Sequence, residues 1–258
     1  MQTGMVRPDD DFGRDYGLVH EAIVTGRKAG AGREFWAKLA HDRNFFEKVV
    51  RFVRHVDLVG TTHHRASQIM GQNSFGNFFG VAEAIQHFHV IPYAYHLDDL
   101  SRIPFSERTL EECCDTHVLV AVFPLSINQI RNRLAANHGT FFSGSRWSQD
   151  QDQPYAIERG KTEWQLVRKT PVPNSIGPMT WEQRMAKLGT DEEVPRARIL
   201  AYMMAGYYLL TGEPLFRNVR VFSADRTTPT THVYLGGLDP TKSEGKDYDG
   251  LASARKPE

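Results

Sequence analysis

The segment EECCDTHVLVAVFPLSI, residues 111–127, contains the most strand-like run of the chain. From Thr116 to Ile127 it is rich in β-branched and apolar residues and has few polar ones, which is typical of a strand buried on both faces. The next stretch, SINQIRNRLAANHG (residues 126–139), has a serine where a helix would begin and a glycine where it would end. The segment therefore predicts a buried strand that leads directly into a helix.

Helical and strand patterns occur on both sides of this strand. Apolar residues of Glu34–His55 recur three, four and seven apart, which predicts an amphipathic helix that could break near Asp42. Further along, Pro195–Gly212 predicts a buried helix, and residues 215–225 and 231–239 predict a closing pair of strands. Together these patterns predict an α+β fold, helix-rich in the N-terminal half, with a mixed sheet and helices in the C-terminal half.

The composition divides the chain into three parts. Residues 1–17 are polar and acidic and predict a flexible arm. Residues 18–240 predict a single α+β domain, in which a sub-division could fall near 139–160, where a polar segment interrupts the apolar pattern. Residues 241–258 are low in apolar side chains, so we expect a polar, partly disordered tail. Residues 59–77 carry polar residues and glycines at irregular intervals and predict a loop.

The overall composition is that of a globular protein without a charge preference. The 258 residues contain 31 Lys plus Arg and 31 Asp plus Glu, so no global field would attract the protein to nucleic acid or to an anionic membrane. Two cysteines cannot form a disulfide framework, and the N-terminus lacks the apolar core of a signal peptide. The longest apolar stretch, Ile199–Leu210, is shorter than a membrane span. We therefore expect a cytoplasmic protein with no membrane partner and no cofactor.

Cys113, Cys114 and His117 are the candidates for catalytic chemistry. A thiol beside an imidazole could act as a nucleophile with its base, and Cys114 and His117 have a spacing that zinc ligands also use. Adjacent cysteines converge poorly on one ion, however, and cysteine commonly packs as a small buried hydrophobe. We favour this structural interpretation, so the sequence predicts no metal site, and thiol chemistry remains the alternative.

A basic segment between Arg27 and Arg65 is the candidate for contact with nucleic acid. It contains nine Lys or Arg against four Asp or Glu, a local excess of five, and such a cluster could follow a phosphate backbone. A glycine-rich loop before the predicted helix could also present backbone N–H groups to an anion, although it matches neither the Walker A nor the G-x-G-x-x-G pattern. The residues that carry this hypothesis are Arg27, Lys28, Arg33, Lys48, Arg51, Arg54 and Arg65.

On these grounds we expect a non-catalytic binding or accessory protein that contacts nucleic acid or a protein partner through the basic segment. The first alternative is a hydrolase-type enzyme that uses Cys113 or Cys114 together with His117. The second is a structural subunit of a homo-oligomer that assembles through the apolar helix Ile199–Leu210. The sequence determines neither the oligomeric state nor the type of nucleic acid.

Overall fold

A computed structural model describes residues 20, 23–24, 26–28, 30–43, 45–46, 62–72, 74–138, 152–217, 219–236 and 248–258. The described residues combine helices with two mixed sheets, which confirms the α+β prediction. The chain separates into two compact units, Met1–Arg54 and His55–Glu258, and the single domain expected over 18–240 stays a prediction. The predicted arm, 1–17, lies outside the described residues. No helix within the described ranges is long and apolar enough to cross a membrane.

The first unit contains helix α1, Arg33–His41. Gly30 has a positive φ of 93°, a conformation that glycine adopts without steric cost, and it makes the turn that leads into this helix. The helix ends because Asp42 is extended, with φ of −107° and ψ of 98°, which confirms the predicted break. Described residues just beyond Asp42 are helical again, and the end of the predicted helix lies outside the described residues.

The second unit contains a helix where the sequence predicted a loop. Residues 62–71 form helix α2, and its residues Ala66, Ile69 and Met70 are buried. Three apolar residues are too few to reveal a helical period in a sequence rich in polar residues, so packing determines this helix. A 3-10 turn follows at Phe75–Asn77. The other helices are α3 (Val81–Phe88), α4 (Ala94–Leu100), α5 (Glu107–Cys113), α6 (Ile127–His138), α7 (Pro154–Ile157), α8 (Trp181–Met185) and α9 (Ala197–Thr211).

The first sheet contains the strand predicted from residues 116–127. Its strands are β1 (Phe78–Phe79), β2 (His117–Val122), β3 (Glu163–Arg168), β4 (Glu192–Glu193) and β8 (Ala254–Arg255). They are ordered β1-β2-β3-β8-β4, and β2 pairs parallel with β1 and antiparallel with β3. Every residue of β2 is buried, as predicted. Helix α6 begins directly after it, where Ser126 Oγ accepts a hydrogen bond from the Gln129 amide (3.2 Å).

The second sheet contains the predicted closing pair of strands. Strands β5 (Val219–Thr228) and β6 (Thr231–Gly236) form an antiparallel hairpin, and β7 (Tyr248–Leu251) runs parallel to β5. The hairpin register shifts between Phe222 and Arg226, so β5 carries extra residues there.

Helix α9 is at the centre of the core, with every residue from Ala197 to Gly206 buried. Tyr202 is fully buried, and its hydroxyl donates a hydrogen bond to the Ala121 carbonyl of β2 (3.0 Å). The helix is therefore joined to the first sheet by a hydrogen bond as well as by packing. Because Ala197–Gly206 is buried within its own chain, a partner subunit could reach only the partly exposed residues 207–211 of this helix.

Segment 248–258 of the expected polar, partly disordered tail forms strands. It supplies β7 to the second sheet and β8 to the first, and residues 251–254 are buried. Its apolar residues are small and few, so composition indicated disorder, whereas the segment is held by strand pairing on both sides of β8. Residues 241–247 lie outside the described residues.

Candidate nucleic-acid interface

The basic segment predicted from the sequence is divided between the two units. Arg27, Lys28 and Arg33 are exposed in the first unit, and Arg65 is exposed on α2 of the second. The Arg65 guanidinium donates through Nε and Nη2 to Glu107 Oε2 (3.1 and 3.0 Å), and this contact raises the pKa of Arg65. A single basic surface therefore stays a prediction, since three of its residues lie outside the described ones: Lys48, Arg51 and Arg54.

Cys113, Cys114 and His117 lie where α5 leads into β2, and all three are buried. Burial raises the pKa of the Cys113 thiol, against the opposing effect of Arg255. Burial, together with the positive charges of Arg168 and Arg255, lowers the pKa of His117 to about 3. At neutral pH these groups are a neutral thiol and a neutral imidazole. An activated cysteine needs the opposite, a thiolate stabilised by a positively charged imidazole.

The described contacts of His117 are with a hydroxyl group, a backbone carbonyl and two guanidinium groups. Its Nδ1 atom lies 2.7 Å from the Thr116 hydroxyl. Three buried nitrogen atoms of the described residues have no hydrogen-bond partner, and they are His117 Nε2, Arg168 Nε and Arg255 Nε. The imidazole thus has guanidinium groups beside it rather than a carboxylate that would orient it as a base. Among the described residues no three His, Cys, Asp or Glu side chains are placed to hold a metal ion.

The outward face of the β5–β6 hairpin brings together aromatic and arginine side chains. Alternate residues of both strands are buried, so the side chains between them point away from the core. Strand pairing places Phe222 opposite Tyr234, and Arg226 opposite His232. We refer to this set, with one residue of α8, as the aromatic–arginine row. It consists of Arg226, His232, Trp181, Phe222, Tyr234 and Arg220.

The rings of the aromatic–arginine row contact one another in succession. Trp181 stacks on His232, with ring centroids 3.5 Å apart and planes inclined by 15°. Phe222 meets Tyr234 edge to face, with centroids 6.2 Å apart. The guanidinium carbon of Arg220 lies 5.0 Å from the centre of the Tyr234 ring. These side chains are all partly exposed, so the row presents aromatic groups to solvent.

Helix α8 is fixed against the hairpin, and this positions Trp181. The buried Arg184 of α8 donates to the carbonyl oxygens of Gly177 and Asp249, both at 2.7 Å. Its guanidinium also lies over the Phe222 ring, 5.0 Å from the centroid. These contacts tie α8 to β7 and to β5, so the indole of Trp181 is held in place before any ligand binds.

Cationic groups flank the rings. Arg226 is exposed, and its guanidinium donates to a carbonyl of the β5–β6 turn (2.6 Å). The nearest acid of β5, Asp225, is directed toward α9, where its Oδ2 accepts a hydrogen bond from the Ala197 amide (2.7 Å). Burial lowers the pKa of His232, so its ring is neutral at pH 7 and available for stacking. Hydrogen bonds to its own backbone amide and to Thr180, together with the nearby charge of Arg226, lower the pKa of Glu182 of α8.

Sequence reasoning predicted the hairpin but missed the row. The basic segment was predicted because its charges are close together in the sequence. Arg220, Arg226 and Trp181 are brought into one row only by the fold. The alternation within the two strands could have indicated the site. In VRVFS and HVYLG, basic or aromatic residues alternate with small or apolar ones, which places them on opposite faces of a strand.

Comparison with known proteins gives no further guide to this site. No known protein family, curated protein or solved structure matches the chain. The chemistry of the described residues is therefore the basis for assigning a function.

Proposed function

We propose that this protein binds single-stranded nucleic acid through the aromatic–arginine row. The observation that supports the proposal is the row itself, in which adjoining aromatic rings on the outward side of the hairpin have an arginine toward each end. Proteins that bind single strands with little sequence preference combine stacking of bases on aromatic rings with arginine contacts to phosphates. The proposal keeps the expected class, a non-catalytic binding protein, and places the contact on the hairpin rather than on the basic segment.

The form of the row favours a single strand over a duplex. A duplex keeps its bases stacked on one another and is read by elements that enter its grooves. The rings of Trp181, Phe222 and Tyr234 are instead partly exposed on a sheet face, where unstacked bases could reach them. Arg220 and Arg226 lie toward opposite ends of the row, where two phosphates of one strand could be contacted. Two such contacts predict a moderate, salt-sensitive affinity.

Fluorescence anisotropy with labelled oligothymidylate and oligouridylate tests the proposal. Tyr234→Ala should weaken binding by about 1–3 kcal/mol, or roughly 5- to 150-fold, because one stacking ring is lost. Tyr234→Phe should bind nearly as the wild-type protein does, because the ring remains.

The matched control is Tyr95→Ala. Tyr95 is an exposed tyrosine outside the row, with 59% of its surface accessible, so its removal should leave binding unchanged. Circular dichroism of each variant verifies that the fold is kept. The proposal is refuted if the wild-type protein binds neither oligonucleotide at low salt, or if Tyr95→Ala and Tyr234→Ala weaken binding equally.

A further inference from the structure

A second candidate site is a groove formed by α2, the Phe75–Asn77 turn, the start of α3 and the end of α9. Its volume of about 620 Å³ lies within the range of about 300–1,000 Å³ that is usual for small-molecule sites. Its lining includes Gln68, Gly71 and Gln72 of α2 and its end, together with Phe75 and Phe78. None of its described lining residues belongs to the aromatic–arginine row, so the groove is a separate site.

Two phenyl rings and Leu210 contribute apolar surface to the groove. Phe78 is only 8% exposed, whereas Phe75 is 67% exposed. The turn that carries Phe75 is tightly held, because a Cβ atom added at Gly76 would clash with the Thr211 side chain of α9. The buried Asn77 amide also donates to the Cys114 carbonyl (2.6 Å). Phe75 is therefore an exposed ring on a fixed support, which is a pre-organised contact for a planar ligand.

The polar wall of the groove contains hydrogen-bonding groups without a net positive charge. Arg65, Gln68 and Gln72 recur three and four residues apart, so they form one stripe along α2 and its end. The charge of Arg65 is balanced by Glu107 (3.0 Å). Glu83 adds a carboxylate to the lining. The wall thus offers amide groups, of which the Gln68 nitrogen already contacts a neighbouring histidine ring (3.0 Å), and it offers little attraction for a phosphate group.

We infer that this groove binds an uncharged nucleoside. A nucleobase has a planar face that can stack on the exposed ring of Phe75. Its edge carries neighbouring donors and acceptors, which the side-chain amides of Gln68 and Gln72 complement. The carboxylate of Glu83 disfavours the phosphate of a nucleotide. The inference does not depend on the aromatic–arginine row, so either site can fail without the other.

Gly71 provides a variant that fills the groove and leaves its walls in place. A Cβ atom at Gly71 would meet no heavy atom within 4 Å, and leucine forms helices more readily than glycine. Isothermal titration calorimetry with adenosine and guanosine should show binding to the wild-type protein and at least about tenfold weaker binding to Gly71→Leu. Gly71→Ala should bind nearly as the wild-type protein does, because a methyl group leaves most of the groove open.

A second variant and a control separate loss of the site from loss of the fold. Phe75→Ala removes an exposed ring and should weaken nucleoside binding roughly 5- to 150-fold. Gly32→Leu is the matched control, because Gly32 also faces open space but belongs to the first unit. Its nucleoside affinity should equal that of the wild-type protein. Thermal melting of all variants verifies folding.

Nucleotides and sugars test the ligand class. Adenosine 5′-monophosphate should bind no more tightly than adenosine, because the groove has no unbalanced cation among its described residues. The inference is overturned if neither nucleoside binds at about 1 mM, or if Gly71→Leu binds as well as the wild-type protein. It is also overturned if the monophosphate binds at least about tenfold more tightly than adenosine, or if glucose binds in the groove and the nucleosides do not.

Discussion

Replacing Arg220 and Arg226 together with glutamine should flatten the salt dependence of oligonucleotide binding. Each phosphate contact of a single strand contributes about 0.7 to the slope of log K against log salt concentration, so losing two contacts should reduce the slope by about 1.4. Between about 50 and 200 mM salt, the affinity advantage of the wild-type protein over the variant should therefore shrink about sevenfold. Glutamine is also a polar, unbranched side chain, so the hairpin should remain folded.

The structure indicates why these two arginines should act through charge rather than through folding. Arg226 is exposed, and Arg220 is partly exposed beside the Tyr234 ring. Anisotropy titrations at several salt concentrations measure the slope for each protein. The control is the pair Arg27→Gln and Lys28→Gln, which alters two exposed cations of the basic segment. If this control flattens the slope and the hairpin variant does not, the phosphate contact lies on the basic segment and the reasoning is wrong.

Three further outcomes are expected. Folding lowers the pKa of His117 from 6.5 to about 3, so between these pH values the unfolded chain binds a proton that the native protein does not. As pH falls from 6.5 to 3, this residue should therefore lower the free energy of unfolding by about 1.4 kcal/mol per pH unit. Urea melts of His117→Phe should lack that part of the pH slope, and an unchanged slope would contradict the assignment. Cys113 should react slowly with iodoacetamide in the folded protein and quickly after unfolding, because it is buried and its pKa is raised. Rapid labelling of the folded protein would instead support the alternative of an enzyme that uses a reactive thiol. Tyr202→Phe should lower the free energy of unfolding by about 1–3 kcal/mol, because the hydrogen bond to the Ala121 carbonyl is lost. A loss below about 0.5 kcal/mol in urea melts would show that this hydrogen bond contributes little to stability.

Elements with a strong local pattern were predictable from the sequence. The apolar run that became β2 needs burial on both faces, and every residue of this strand is buried. Helix α9 ends at Gly212, which has a positive φ of 74° that favours glycine, and the apolar run before it lies in the core. Asp42 interrupts the first predicted helix as expected. In each of these cases the residues concerned are adjacent in sequence and their pattern has one simple interpretation.

Elements that depend on distant partners were not predictable. Helix α2 buries three apolar residues among many polar ones, and β8 is a two-residue strand held between β3 and β4. Neither element has a hydrophobic pattern long enough to identify from the sequence. Each is stabilised by packing and pairing with other parts of the chain. The strands of segment 248–258 likewise depend on pairing with distant strands, and composition does not indicate which backbone groups will be paired.

The candidate interface was missed for a related reason. Its central stack joins Trp181 of α8 to His232 of β6, and no spacing in the sequence relates these two residues. Charge density along the chain favoured the basic segment, yet Arg65 of that segment is ion-paired with Glu107. The density of charge along the sequence therefore favoured the basic segment, whereas the arrangement of side chains in the fold favours the hairpin.

The central claim is that nucleic acid contacts the outward face of the β5–β6 hairpin. Ultraviolet cross-linking of oligouridylate to the wild-type protein, followed by mass spectrometry of the peptides, measures this contact directly. We predict cross-links at Trp181, Phe222 or Tyr234, whose rings would stack on bases. Cross-links confined to residues 27–65, under conditions in which anisotropy shows binding, would contradict the claim and return the contact to the basic segment.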